Sequence, residues 1–268
     1  LSAGRTSVII DAGPPATGNA SYNAHASTLA FELTSGRRPL IVSCGSGAHL
    51  GPDWHRAGRA TPSHSTLCLG GYSSARLGKP VKTSGVYREL LVEAPKIVPV
   101  EMSQTAEGVK FEGAHSGYVP PFGLTHARKL SLSLDGRSLA GEDLLIALDD
   151  TAGNAGETVL SDDINPNVDF QIRFHLHPEV DAALDLGGTT VAIAAKSGEI
   201  WIFRHESKLS LTIEPGVYLE KNQPIPRSSR QIVLSGMVND ALTRAQWSLS
   251  KTQDTAMAIR DLRLEELR

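Results

Sequence analysis

Short runs of alternating apolar and polar residues, each closed by a turn, recur along nearly the whole chain and strongly constrain its fold. Examples are TSVIIDAG, STLCLGG, KLSLSLDGRSLAGEDLLIAL and TTVAIAAKSGEIWIFRH. A side-chain period of two over a short run is typical of strands that are half buried in a sheet. Asp135-Gly136 and Lys196-Ser197-Gly198 have the composition of hairpin turns. The pattern predicts an all-β fold, a large antiparallel β-sandwich with few or no helices.

Helical patterns are confined to YRELLVEA and to the tail TAMAIRDLRLEELR, which predicts a C-terminal helical tail. LAFELTSGRRPLIVSCG reads as two strands that are joined at positions 35–38. We see no internal repeat and no interior boundary, so we expect one sandwich domain over residues 1–268. The segments 50–63 and 151–163 are long for connections, and long loops on a rigid sheet often carry function.

Composition and charge exclude several classes of protein. The 268 residues are 40% hydrophobic, which is enough for a sizeable core. The 26 basic and 29 acidic residues give a net charge of −3, which argues against a general nucleic-acid binder. No apolar run approaches the roughly 20 residues that span a bilayer, so we expect no membrane partner. The chain starts at Leu1 without Met or a leader, and we interpret it as a processed product or a fragment.

The cysteines and one histidine pair allow more than one interpretation. Cys44 and Cys68 both lie in strand-like runs, which favours buried thiols over a disulfide or a metal role. In DFQIRFHLHP, His175 and His177 lie on the same side of the predicted strand and could chelate a metal ion. A solvated polar face opposite the core explains the same alternation without any ligand, and we favour it.

The stretch NAHASTLAFEL raises a question of function. Large apolar residues occupy positions 29, 31 and 33. If the same alternation continues toward the N-terminus, Asn23 and His25 lie on the face that is directed to the core, where the strand begins. A second segment, WHRAGRATPSHST, contributes Arg59 and His64. From parity alone these side chains are either a site or polar residues of a loop that precedes a strand.

Three elements together resemble the β-sandwich part of the heparinase II/III-like polysaccharide lyases: NAHASTLAFEL, RRPLIVSCGSG and RATPSHSTLCLGG. That family has a His-x-His element that runs into a strand, a buried Leu-Ile-Val-x-x-Gly strand, and an Arg-x-Thr-x-x-His-x-Thr element. The later runs QIRFHLHP and RQIVLSG also fit, so the resemblance covers most of residues 1–250. It implies cleavage of a uronic-acid polysaccharide, of heparin, heparan or alginate type, by β-elimination.

Such an elimination requires a neutralised uronate carboxylate, a base for the C5 proton and an acid for the leaving oxygen. The resemblance implies that Asn and Tyr residues for this chemistry come from an N-terminal helical toroid, which this chain lacks. The expected partners are therefore an acidic polysaccharide and the helical domain of the same longer protein, and the isolated chain is expected to be weak or inactive. The resemblance alone suggests a periplasmic or secreted location.

Residue by residue, the resemblance implies a metal site that is only partly retained. His25 matches the second His of the His-x-His element and His64 matches the His of the third, so both are expected to bind Zn²⁺. Ser43 and Cys44 stand where the family has an acidic ligand, and a Cys44 thiolate could substitute. Asn23 stands in place of the catalytic His and can bind or orient substrate, but it cannot act as an acid or a base.

Arg59 is the second candidate for substrate binding, beside Asn23. Its guanidinium could neutralise a sugar carboxylate through a bidentate contact, or it could be a structural group, and the sequence leaves both open. Trp54 could stack on a sugar ring or simply pack. Three interpretations follow: the sandwich of a polysaccharide lyase, a catalytically divergent carbohydrate-binding or structural module, and a plain metal-stabilised sandwich.

Overall fold

The strand runs of the sequence assemble into two large antiparallel sheets that face each other. The structure is a computed structural model that describes residues 1–83, 85–148, 167–205 and 208–252. In chain order the strands are β1 (Ser2–Ala3), β2 (Thr6–Ile10), β3 (Phe31–Ser35), β4 (Arg38–Val42), β5 (Leu67–Leu69), β6 (Arg76–Leu77), β7 (Val81–Thr83), β8 (Val86–Arg88), β9 (Leu91–Glu93), β10 (Val100–Gln104), β11 (Gly108–Tyr118), β12 (Leu124–Ser133), β13 (Ser138–Ala147), β14 (Val168–Leu176), β15 (Val180–Asp185), β16 (Thr190–Ala195), β17 (Ile200–His205), β18 (Ser210–Tyr218), β19 (Arg227–Val238) and β20 (Leu242–Lys251).

Helices are short and lie between strands. Among the described residues, the α-helices are α1 (Pro52–Arg59) and α2 (Val119–Phe122), and short 3₁₀ segments occupy Gly18–Asn23, Ala48–Leu50, Thr61–Ser63 and Leu186–Gly188. Within the described ranges, no helix has the length and apolar character required to cross a bilayer. The predicted tail helix lies outside the described residues.

The order of strands in each sheet places chain segments from both ends side by side. The first sheet runs β1-β2-β3-β4-β14-β19-β18, and β5 pairs with β14. The second sheet runs β10-β11-β12-β13-β20-β17-β16-β15. Two further pairs, β6 with β9 and β7 with β8, stand apart from both sheets. The predicted all-β antiparallel sandwich is confirmed.

Aromatic side chains from both sheets meet in the core. Phe31 of the first sheet stacks on Trp247 of the second, with ring centroids 5.5 Å apart. Phe174 packs edge-on against Trp247 at 4.8 Å and against Phe203 at 4.9 Å. Such pairs add about 0.5–1.5 kcal/mol each beyond the burial of their area. This cluster therefore fixes how β3 and β14 lie over β17 and β20.

The predicted turns are confirmed where the structure describes them. Gly36 and Arg37 both have positive φ, at 54° and 71°, and join β3 to β4 in the tight turn expected of a two-residue hairpin. Asp135 and Gly136 join β12 to β13, where the Asp135 carboxylate accepts hydrogen bonds from the Ser133 hydroxyl and the Arg137 amide. The two cysteines are free and buried, as predicted.

Two local predictions are wrong. YRELLVEA was expected to be helical but forms β8 and β9, because Leu91 is buried beside Ala26 and its amide donates to the Ser21 hydroxyl at 2.9 Å. These contacts come from residues distant in the chain and outweigh the local helical preference. The long loop predicted over positions 50–63 contains α1, whose eight residues are too few for a clear helical period.

The packing of Trp247 generates a test of the core. A Cβ at Gly141 would overlap with the Trp247 ring, which is held between the aromatic rings of both sheets. We expect Gly141→Ala to lower the free energy of unfolding by about 1–3 kcal/mol through overpacking. Urea denaturation measures this, and Gly13→Ala is the control because nothing lies within 4 Å of a Cβ there. Equal stability of the two variants would contradict the expected packing.

Candidate functional site

The segment that leads into β3 is not an extended strand, so the parity argument from the sequence fails there. Residues Gly18–Asn23 form a 3₁₀ turn, and Leu29 has a positive φ of 63°. The Ala30 amide closes a turn onto the Ser27 carbonyl at 2.8 Å. Asn23 is consequently exposed instead of facing the core. A period of two applies only within a strand, and β3 begins at Phe31.

His25 and His64, which the resemblance pairs as metal ligands, do lie together. His25 Nδ1 is 3.2 Å from His64 Nε2, and the two rings meet edge to face. Burial, with smaller contributions from His25 and His175, lowers the pKa of His64 to about 3. Burial and then the charge of Arg59 lower the pKa of His25. Both imidazoles are therefore neutral near pH 7, and one N–H is shared between the facing nitrogens.

Arg59 ties the segment that carries His25 to the helix end that precedes His64. Its side chain is 1% exposed and donates to the backbone carbonyls of Ser21 at 2.7 Å, Ala24 at 2.8 Å and Glu89 at 2.9 Å. Of the two roles that the sequence left open, the geometry supports the structural one, because this buried guanidinium faces backbone and not the surface. Contact of Arg59 with a substrate stays a prediction.

An open groove lies beside the histidine pair. We name it the His25 groove; it has a volume of about 310 Å³ and its polar lining comprises Asp11, His25, Ser27, Glu32, Ser43, Ser46 and His64. It shares Glu32 and Ser43 with a second hollow of about 490 Å³, which reaches Tyr218 and Lys221. Loop residues before β3 and after β4 thus form one continuous concave surface.

The chemistry of this groove is that of hydroxyls, carboxylates and neutral imidazoles. The Ser27 hydroxyl donates to Asp11 Oδ2 at 2.5 Å, and Glu32 Oε1 accepts from the Ser43 amide at 3.1 Å. Among the residues that the structure describes, those that line the His25 groove include no lysine and no arginine. Such groups can donate to and accept from sugar hydroxyls, but they do not supply a cation for a uronate carboxylate.

The zinc site implied by the resemblance is supplied only in part. In the described part of the chain no three His, Cys, Asp or Glu side chains are arranged to hold a metal ion. Two imidazoles are fewer than the three or four protein ligands of zinc sites. Cys44 does not join the pair: its Sγ lies 3.4 Å from His175 Nδ1, and burial raises the pKa of this thiol to about 11. The bound zinc stays a prediction.

The favoured interpretation of His175 and His177 as a solvated face is wrong for His175. β14 alternates as predicted, but His175 is 3% exposed because the segment around Pro62 covers it. His175 Nε2 donates to the Pro62 carbonyl at 2.9 Å, so Nδ1 is the acceptor for the Cys44 thiol. His177 is partly exposed and packs edge-on against Tyr218.

Sequence reasoning missed a buried polar network between the sheets. His126 donates from Nε2 to Asp143 Oδ1 at 2.8 Å, so its Nδ1 accepts from His115 Nε2 at 3.1 Å. The remaining His115 nitrogen accepts from the Gly117 amide at 3.1 Å. Because Asp143 can only accept when ionised, these contacts determine both histidine tautomers.

Arg128 completes this network. Its Nε donates to Asp143 Oδ1 at 2.8 Å, and Trp247 Nε1 donates to Asp143 Oδ2 at 2.9 Å. Burial would raise the pKa of Asp143, but the Arg128 charge and the His126 hydrogen bond outweigh it and hold that pKa below its usual range. The sequence offered one signal: in β12 the polar His126 and Arg128 share a face with Leu124 and Leu130.

Comparison with known proteins identifies the family. The sequence profile described as "Heparinase II/III-like, C-terminal" matches residues 1–252. The chain therefore belongs to the family of heparinase II/III-like C-terminal domains, and the resemblance noted in the sequence is confirmed.

The relatives are longer than this chain. It is 32% identical over 260 residues to the FtsZ-localized protein C of Caulobacter vibrioides, covering 93% of this chain and 41% of that protein. The crystal structure of the heparan sulfate lyase HepC from Pedobacter heparinus superposes with a TM-score of 0.68 at 14% identity, over 92% of this chain and 33% of the lyase. A crystal structure of heparinase III gives 0.63 at 14% identity, over 93% and 34%. At these identities the two structures show a shared fold.

The burial of His175 generates a test by pH. Burial lowers the pKa of His175 from 6.5 to about 4. Below about pH 6.5 this imidazole therefore binds a proton in the unfolded chain but stays neutral in the folded chain. Stability is therefore lost as the pH falls, by up to about 1.4 kcal/mol per pH unit from this group. We expect a flatter profile for His175→Gln between about pH 6 and pH 4.5.

Urea denaturation at a series of pH values measures this slope. His49→Gln is the matched control, because the His49 side chain is exposed. A profile as steep in His175→Gln as in the unmodified chain would contradict the assignment of a buried neutral imidazole.

Proposed function

We propose that this chain is a glycan-binding sandwich within a longer protein, and that it lacks the acid or base that the resemblance places at position 23. One observation carries the proposal: Asn23 occupies the position that the resemblance gives to the catalytic His, and an amide cannot exchange a proton with a substrate near neutral pH. Its exposure leaves the side chain available to bind or orient a sugar.

The His25 groove supports glycan binding by its shape and its groups. Its hydroxyls, carboxylates and imidazoles lie on an open concave surface that extends toward Tyr218 and Lys221. Sugar hydroxyls act as donors and acceptors toward such groups, while a uronate requires a nearby cation. We therefore propose that this surface recognises hydroxyl groups of a glycan, and that Asp11 and Glu32 disfavour a carboxylate at the histidine pair.

A second candidate is the lyase activity implied by the resemblance. Family membership and the fold shared with heparan sulfate lyases favour it. In that case the intact protein cleaves an acidic polysaccharide by β-elimination, and the acid and base come from outside this chain. The sandwich would then contribute substrate contacts.

One experiment separates the two candidates. The chain is titrated with neutral and acidic oligosaccharides, the latter of heparan and alginate type, by calorimetry, and the full-length protein is incubated with the same panel. We expect binding without unsaturated uronate products. We also expect Glu32→Gln to weaken binding about tenfold, the loss of about one charged hydrogen bond.

Glu112→Gln is the matched control, since Glu112 lies on the second sheet and pairs with Lys129 at 3.0 Å. Unsaturated products from the full-length protein would establish the lyase activity and contradict the expected binding without cleavage. Failure of every glycan to bind would remove the glycan-binding proposal itself.

We also propose that His25 and His64 bind zinc together with a third ligand from water or from the rest of the longer protein. The 3.2 Å between the facing nitrogens supports this, because two nitrogens about 2.1 Å from one tetrahedral ion are separated by a similar distance. Metal analysis of the full-length protein is expected to show one zinc per chain, lost in His64→Ala and kept in His49→Ala; no stoichiometric zinc would remove the proposal.

The name of the Caulobacter relative suggests where the longer protein works. We propose that it is recruited with FtsZ, which the 32% identity across almost the whole of this chain supports. A fluorescent fusion of the full-length protein is expected to follow labelled FtsZ through the cell cycle. A distribution unrelated to that of FtsZ would contradict this proposal and leave the glycan-binding proposal unaffected.

A further inference from the structure

Arg128 connects the second sheet to both segments that carry the histidine pair. Its Nη1 donates to the Leu29 carbonyl at 2.8 Å and to the Ser65 carbonyl at 2.9 Å. Leu29 lies four residues after His25, and Ser65 directly follows His64. One guanidinium nitrogen therefore bridges the two loops at the point where they enter the core.

The opposite side of this guanidinium is fixed. Arg128 and Asp143 are both fully buried, and the carboxylate also accepts from His126 and Trp247. Buried ionic networks with several hydrogen bonds have few alternative arrangements, because breaking any bond leaves a buried polar group unsatisfied. Arg128 consequently presents Nη1 to the loops in one orientation.

The loop before β3 needs such a constraint. Leu29 has a φ of 63°, a conformation that is strained for a leucine and persists only when surrounding contacts hold it. The Leu29 amide is held by the Asp11 carbonyl at 2.8 Å and its carbonyl by Arg128. The turn between His25 and β3 thus receives one of its hydrogen bonds from the other sheet.

We propose that Arg128 is a positioning residue for the His25–His64 pair. Anchored on Asp143, its guanidinium braces the two loops, so the geometry of the pair and of the His25 groove persists whether or not a metal ion binds. This inference rests on the proposed function in one respect: it takes the His25 groove as the binding site.

Amide hydrogen exchange on the full-length protein tests the brace at two positions. The Phe31 amide donates to Ser65 and the Ala26 amide donates to Arg59, so both report on the joined loops. Arg128→Lys keeps the charge beside Asp143 but loses the fork in which Nε holds Asp143 while Nη1 holds both carbonyls. We expect exchange at these two amides to become about tenfold faster in this variant, with the β16–β17 hairpin unchanged.

The matched control is Lys129→Met, on the same strand but directed outward, where Lys129 pairs with Glu112. In the unmodified protein a metal chelator is expected to leave the Phe31 and Ala26 exchange rates unchanged. Faster exchange at these amides on chelation would overturn the proposal, as would Arg128→Lys rates equal to those of the control.

A replacement variant and a glycan titration complete the test of Arg128. If Arg128→Lys does not fold, Trp247→Phe replaces it, since this variant removes one donor to Asp143 and is expected to speed the same two amides. Glycan titration of each folded variant separates the two proposals. Loss of glycan binding in Arg128→Lys supports the positioning role of Arg128. If the unmodified protein shows slow exchange at both amides but binds no glycan, the proposed function is removed and the positioning role stands.

Discussion

The Asp143 carboxylate is buried between the two sheets, and the arrangement of the loops above them depends on how its charge is satisfied. Three side chains donate to it, from Arg128, His126 and Trp247. Trp247 also stacks on Phe31 of the opposite sheet. The same contacts therefore stabilise the charge, align the aromatic core and orient the guanidinium that holds the loops, because each group has more than one partner.

This network changes how the candidate site is understood. In a metal-braced sandwich an ion would tie the two histidine segments together, whereas here hydrogen bonds already do so. Arg59 holds Ser21 and Ala24, and the Thr61 hydroxyl donates to the Ala26 carbonyl at 2.6 Å. A site that is organised by backbone contacts can lose an acidic ligand or a catalytic histidine without losing its shape. Under the proposed function the groove keeps its shape, while Asn23 stands where the resemblance gives the catalytic His.

Much of the fold could be predicted from the sequence. The alternation in β14 and the turns at Gly36 and Gly136 follow from local geometry, which the residues themselves encode. The pairing of His25 with His64 came from the family resemblance, since the two lie 39 residues apart and no local pattern links them. Predictions failed where contacts between distant residues outweighed local preference, as at Leu91 in β9 and at the covered His175.

The sequence by itself determined the period of the strands, the positions of the turns and the chemical limits of the site, such as the absence of a titratable group at Asn23. Only the tertiary structure decided which polar side chains meet. Arg128 is 99 residues from Leu29 in the chain, yet they share a hydrogen bond, because the packing of one sheet on the other sets that distance. A strand pattern specifies which residues lie on the buried face of the strand, but not which residues of the opposite sheet they will contact.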